Sequence, residues 1–260
     1  MFLGHFGVAL ASKPPAPPVS LGTLFLAAQF LDLLWPVFVL SGIETVRIVP
    51  GITRVTPLDF VSYPYSHSLA AAVFWSLMVG GIYGAVRRWA RGAAVVGGLV
   101  FSHWVLDFIT HRPDLAIAPG LSARVGLGLW NSLSGTLLAE ATLFLGGCAI
   151  YLRVTQPRDR VGSYGTGALL LVLVGISLAS TFGPPPPSTT AIAWSGLGMW
   201  LLVAWAYWVD RHRSARSPLG AQAVTPGSGP GPPRRPGREM SRSSRSLARG
   251  PAPAPAPWSP

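Results

Sequence analysis

The sequence predicts an all-α fold: a polytopic membrane helix bundle of about six transmembrane helices, with a short N-terminal half-helix and a disordered C-terminal tail. Three observations predict it. Half of the 260 residues are hydrophobic and only 11% are charged, with a mean hydropathy of +0.44, whereas soluble domains carry about 25% charged residues. Apolar runs of spanning length recur along the chain. Beyond residue 212 the composition changes abruptly to Pro, Gly, Ser, Ala and Arg.

The elements follow in order. Residues 1–11 (MFLGHFGVALA) are apolar, but a bilayer core needs about 20 helical residues, so this reads as a half-depth helix. Pro14, Pro15, Pro17 and Pro18 end it. A cleaved signal peptide is not expected, because no basic segment precedes the run and no small-residue cleavage site follows it. Six longer apolar segments cover residues 20–43, 65–86, 93–111, 129–152, 165–182 and 191–209. Pro36 is expected to break the first of them. The connection 44–64, with three prolines and balanced charge, reads as irregular. Residues 1–212 thus form a membrane-embedded helical domain, and residues 213–260 a disordered tail that cannot supply a core.

Charge sets the expected orientation. Arg87, Arg88 and Arg91 follow the second span, Arg153, Arg158 and Arg160 follow the fourth, and Arg211, Arg213 and Arg216 follow the sixth. The alternate loops carry two Arg and none. Under the positive-inside rule this places both termini in the cytoplasm of a multi-pass cell-membrane protein. The net charge of +11 could suggest nucleic acid, but residues 211–260 hold nine Arg against the single acid Glu239. The lipid bilayer is the main partner implied, and anionic lipid headgroups suit the tail better than nucleic acid does. Cys148 stands alone in an apolar run and reads as a small core residue.

The chemistry lies in residues 1–111. Four of the five histidines are there, and only Asp32, Asp107 and Glu140 among the nine acids fall inside apolar segments. A carboxylate at mid-span costs at least about 2.5–3.5 kcal/mol, so two of them beside histidines favour a shared cation. In Ser102–His111 the residues His103, Asp107 and His111 follow at intervals of four, on one helical face, a spacing that can close on a metal ion. Counted from Ala93, His103 lies about 15 Å and Asp107 about 21 Å into the span. Each candidate has a structural alternative. His103 and Asp107 could be a hydrogen-bonded pair, and Asp32 could pair with an arginine or cap a helix broken at Pro36. His67 could sit at the interface, with Ser66 and Ser68 as pocket walls. His111, before Pro113, could face water, and His5 could lie on a helix flat in the interface. Glu140 could neutralise a neighbour or face the bundle. His212 sits in the basic flank.

Gly4-His5, Asp32-x3-Pro36, Ser66-His67-Ser68 and Ser102-His103-x3-Asp107-x2-Thr110, in that order, resemble the YdjM-like family of bacterial inner-membrane proteins, described as metal-dependent hydrolases. The resemblance covers residues 1–111. The order His, Asp, His, His-x3-Asp also resembles the zinc-ligand series of phospholipase C and P1-type nucleases, α-helical phosphoesterases, which would make His5, Asp32, His67, His103, Asp107 and His111 the ligand set. The chain departs from the membrane family in two places. It has Asp32-Leu33-Leu34 where an Asp-x-Asp is common, and Ser62-Tyr63-Pro64-Tyr65-Ser66-His67-Ser68 where His-Arg-Gly-x-Thr-His-Ser is common. A histidine and an arginine are missing, with Arg112 and Arg124 as candidate substitutes.

The resemblance implies a membrane-bound hydrolase with a divalent metal as cofactor. Zinc suits mixed His/Asp ligation best, with manganese or iron as alternatives. A metal ion makes hydroxide available at neutral pH, no catalytic residue beyond the ligands is implied, and a membrane-proximal ester is the natural substrate. Two other readings use the same residues. Intramembrane His and Asp serve metal-ion and proton transporters, and a scaffold could keep a degenerate site.

Overall fold

The computed structural model describes residues 1–216. It is a helix bundle with three short two-stranded ladders. Five helices are long and apolar enough to cross a membrane, and a bent pair, Leu21–Ala28 with Phe30–Leu40, makes up to six if it is taken as one span. The disordered-tail expectation for residues 217–260 lies outside the described residues. The tail boundary differs at its first residues, because Arg213–Ala215 form a strand (β6) that pairs antiparallel with Thr155–Pro157 (β5).

Helix α1 spans Leu3–Ala11 and is buried on nearly every side, including His5, Phe6 and Leu10. This fits a half-depth helix and excludes one lying flat in the interface. Its position depends on Gly7 and Gly147, where the backbone of α1 lies against that of α7 (Leu133–Val154). A Cβ on Gly7 would come within 2.8 Å of the Phe144 amide nitrogen. Between apolar helices in an apolar solvent, such close backbone approach supplies the dispersion contact that water would otherwise drive.

The first span is two helices, α2 (Leu21–Ala28) and α3 (Phe30–Leu40), bent by 55° at Gln29. The break expected at Pro36 is therefore displaced to Gln29. Pro36 sits inside α3 and is buried against Gly196. The hairpin β1 (Thr45–Ile48) with β2 (Leu58–Ser62) replaces the irregular connection, its strands flanked by Pro50, Pro57 and Pro64. The prolines that suggested irregularity bound the strands.

One helical turn, α4 (Pro64–His67), precedes α5 (Leu69–Arg87), whose N-cap Ser68 accepts from the Ala71 amide at 3.1 Å. Helices α5 and α6 (Ala90–Thr110) form a tight hairpin joined by Ser76 Oγ donating to the Gly97 carbonyl at 2.7 Å. Of the five long helices, α6 is the most enclosed. A short ladder, β3 (Leu115–Ala116) with β4 (Arg124–Val125), and a 3-10 turn at Leu129–Asn131 lead into α7. A π-helical turn at Val161–Gly165 opens α8 (Thr166–Phe182), and the last span is α9 (Thr189–Leu197) and α10 (Met199–Arg211), joined at Gly198. Leu77, Val86, Leu138, Leu171 and Leu201 stay exposed, giving the apolar exterior a bilayer requires.

Candidate metal centre

Five of the six expected ligand residues converge. His5 comes from α1, Asp32 from the first turn of α3, His67 from the end of α4, and His103 and Asp107 from one face of α6. They form two overlapping triads, His5–His103–Asp107 and Asp32–His67–His103, within each of which the ligand atoms all lie within 4.8 Å of one another. In the first, Asp107 Oδ1 is 3.2 Å from His5 Nε2, and Asp107 Oδ2 is 3.1 Å from His103 Nε2. In the second, Asp32 Oδ1 is 3.3 Å from His67 Nε2 and 3.7 Å from His103 Nε2. Asp107 Oδ2 also lies 3.7 Å from His67 Nε2.

The fit to a metal ion rests on which nitrogens carry protons. His103 Nδ1 lies 2.7 Å from the Ala28 carbonyl, which can only accept, so the proton is on Nδ1 of the neutral ring. The 55° bend at Gln29 makes that carbonyl available, because α2 ends there. At His67, Ser66 Oγ donates to Glu44 Oε2 at 2.6 Å and lies 2.7 Å from Nδ1, so it accepts from Nδ1. Both Nε2 lone pairs therefore face carboxylate oxygens. Acceptors facing acceptors repel unless a cation sits among them, and His103 Nε2 is buried without a hydrogen-bond partner although Asp107 is 3.1 Å away. With the proton on Nδ1, Nε2 of the neutral ring has no hydrogen to donate across that distance. Tetrahedral ligands at about 2.0–2.1 Å from zinc are roughly 3.3 Å apart, and the carboxylate–nitrogen distances in the two triads, 3.1–3.7 Å, fall close to that.

His103 is common to both triads, and one nitrogen lone pair serves one ion, so the geometry is that of a single centre. The Asp32–His67–His103 set is the better built. Both of its imidazoles have a partner on Nδ1, the arrangement that fixes ligand tautomer in metal sites. His5 Nδ1 has no partner, and the Met1 amino group shares Asp107 Oδ1 at 3.1 Å. The His5 and His103 rings stack at 3.8 Å, nearly parallel. The centre is closed except at Asp32, whose side chain is 30% exposed against 4% for Asp107.

His111 does not join. Helix α6 ends at Thr110 and His111 is extended (φ −65°, ψ 151°), so it leaves the face that carries His103 and Asp107. Its Nδ1 lies 3.0 Å from Asp114 and 3.2 Å from Tyr63, whose hydroxyl donates to Asp114 at 2.7 Å. Burial first, then the Asp114 charge, pushes the Tyr63 phenol well above its ordinary value, keeping it a donor. The two candidate substitutes for the missing arginine are also engaged elsewhere. Arg112 binds Asp59 at 2.9 Å and Asp114 at 3.4 Å, and Arg124 donates to the Asp114 carbonyl.

Two glutamates have roles that the sequence does not show. Glu44 receives the Tyr65 and Ser66 amides, both at 2.8 Å, as well as the Ser66 hydroxyl, so it holds α4 and with it His67. Glu140 of α7 accepts the Phe2 and Leu3 amides at 2.8 and 2.5 Å, capping α1 from another helix and fixing the depth of His5. Glu140→Ala would leave two enclosed amides unpaired. It is expected to destabilise the fold by about 2–5 kcal/mol, with Glu140→Gln losing less, as read from thermal unfolding in detergent.

Helix α1 points inward: Lys13, just past its C-terminus, reaches Asp210 at the end of α10 at 3.4 Å, while Leu3 reaches Glu140. Compared with family models, curated proteins and solved structures, the chain matches none.

Proposed function

We propose that this chain is a membrane-bound metal-dependent hydrolase that acts on an ester, of the phosphoester or lipid class, lying at the membrane. The observation that carries the reading is the Asp32–His67–His103 triad: two tautomer-fixed imidazoles and one carboxylate, closed on every side but one. Three protein ligands with one open position is the pattern of catalytic zinc sites, while structural sites are closed by four. Zinc suits this donor set, with manganese or iron as alternatives. The ion, when bound, supplies a water acidic enough to be hydroxide at neutral pH and a charge for the developing oxyanion. The chain's residues do the rest. His67 and His103 hold their lone pairs inward, Asp107 adds negative charge behind them, and the exposed edge of Asp32 marks the side from which substrate enters.

The orientation proposed here is that of the arginine distribution. The ladder of β5 with β6 supports it, since it joins two of the arginine-rich segments at one end of the bundle. The centre then opens on the extracytoplasmic half of a cell membrane.

The test is elemental analysis of detergent-purified protein, paired with hydrolysis of a generic phosphodiester and of phospholipid. About one zinc per chain together with hydrolysis, both lost in Asp32→Asn, is the expected result. Metal-dependent flux in proteoliposomes without hydrolysis would establish the carrier instead. Protein that takes up no metal would leave the scaffold reading.

A further inference from the structure

A second site lies at the far end of α7, about 33 Å of helix from the 3-10 turn near His111. There a cleft of about 240 Å³ opens between the prolines after α1, the ladder of β5 with β6, and the end of α10. Four of its lining side chains are cations (Lys13, Arg158, Arg211 and Arg213) and one, Asp210, is an acid. Lys13 already engages Asp210 at 3.4 Å and the Val19 carbonyl at 2.8 Å. The nearby Asp159 is taken by His212 at 2.6 Å, a bond that lowers the Asp159 pKa.

Arg213 is the unusual member. It is buried, and it donates to the hydroxyl and carbonyl of Thr155, to the Gly162 carbonyl and to the Thr166 hydroxyl, with its guanidinium 5.3 Å from the centre of the Tyr151 ring. Every one of these acceptors is neutral. Its hydrogen bonds hold the group in place but do not cancel its charge, and a buried charge without a counter-ion is costly. Arg158 and Arg211 stand exposed at the rim of the same cleft.

We propose that this cleft is an anion site that takes a phosphate group, separate from the metal centre and independent of whether that centre hydrolyses anything. Guanidinium groups match phosphate oxygens in pairs, and the net positive field of the cleft has no internal partner among the described residues. The volume suits a headgroup rather than a larger ligand. The position, at the ends of apolar helices, is where the phosphates of anionic lipids lie.

The test uses the full chain purified in a neutral detergent, with its melting temperature followed against short-chain phosphatidylglycerol, phosphatidylcholine of the same chain length, and inorganic phosphate. Phosphatidylglycerol should raise the melting temperature and phosphatidylcholine should not. In Arg158→Gln/Arg211→Gln, two exposed positions where substitution leaves the unliganded melting temperature unchanged, the midpoint of the rise should move to roughly tenfold higher lipid or more. Arg153→Gln/Arg160→Gln removes the same charge from two arginines at the same end of α7 that do not line the cleft and should behave as wild type. An equal rise with inorganic phosphate identifies free phosphate as the ligand, and a rise confined to the lipid identifies the headgroup. No rise with either ligand, or equal loss in both double variants, overturns the proposal.

Discussion

His103→Ala is expected to abolish stoichiometric metal binding, whereas His5→Ala keeps the metal with affinity within about tenfold of wild type. The contrast follows from the shared position of His103. Its Nε2 belongs to both triads, its Nδ1 is held by the Ala28 carbonyl, and no other described imidazole can replace it on α6. His5 belongs to one triad only, has no partner on Nδ1 and meets Asp107 at the oxygen that Met1 also occupies. The readout is zinc affinity by calorimetry, supported by thermal unfolding. A ligand present at a thousand times its dissociation constant stabilises by about 4 kcal/mol, roughly 10 °C for a domain of this size. Wild type and His5→Ala should show that gain and His103→Ala none. Equal loss in the two variants would place the ion in the His5–His103–Asp107 triad instead and remove the basis for a site open at Asp32.

The second large effect is at Glu44. Replacing it with Ala removes the acceptor of three hydrogen bonds, two from backbone amides and one from the fully buried Ser66 hydroxyl. Donors left unpaired cost about 1–3 kcal/mol each, so Glu44→Ala should lose several kcal/mol of stability as well as metal affinity. Glu44→Gln separates the two effects. It keeps the shape and a carbonyl oxygen for the amides, but its NH2 cannot accept from Ser66. The Ser66 hydroxyl then turns toward His67 Nδ1 and drives the proton to Nε2, the atom that must carry the lone pair. Metal affinity should fall 10–100-fold with a much smaller loss of melting temperature. A Glu44→Gln variant that binds zinc as wild type does would show that Ser66 does not set the His67 tautomer.

Much of the architecture is legible in the sequence because membranes leave few choices. A run long and apolar enough must span as a helix, and the six runs read from composition correspond to the helices observed. The candidate ligands are legible for a related reason: His5, Asp32, His67, His103 and Asp107 are polar groups in apolar surroundings. His111 was a casualty of periodicity. Spacing by four holds only while the helix lasts, and α6 stops one residue too early. The turns inside the spans, at Gln29 and Gly198, have no composition signature, since helices on either side are equally apolar. Glu44 was hidden by distance. It lies 22 residues from Ser66, in a connection whose prolines made it look unstructured, and only the β1–β2 hairpin brings the two together. The one local hint is that glutamate is scarce, with three in the whole chain, two of them buried.

The unequal exposure of the two carboxylates has a kinetic meaning. In a metal-loaded centre Asp107, sealed at 4% exposure among Met1, His5 and His103, would contribute to how tightly the ion is held at equilibrium. Asp32, at 30%, is the group that solvent, chelator and incoming ion meet first. Loading and release would then pass through Asp32, and substitutions beside it should change the half-life of the bound ion while leaving its dissociation constant nearly fixed.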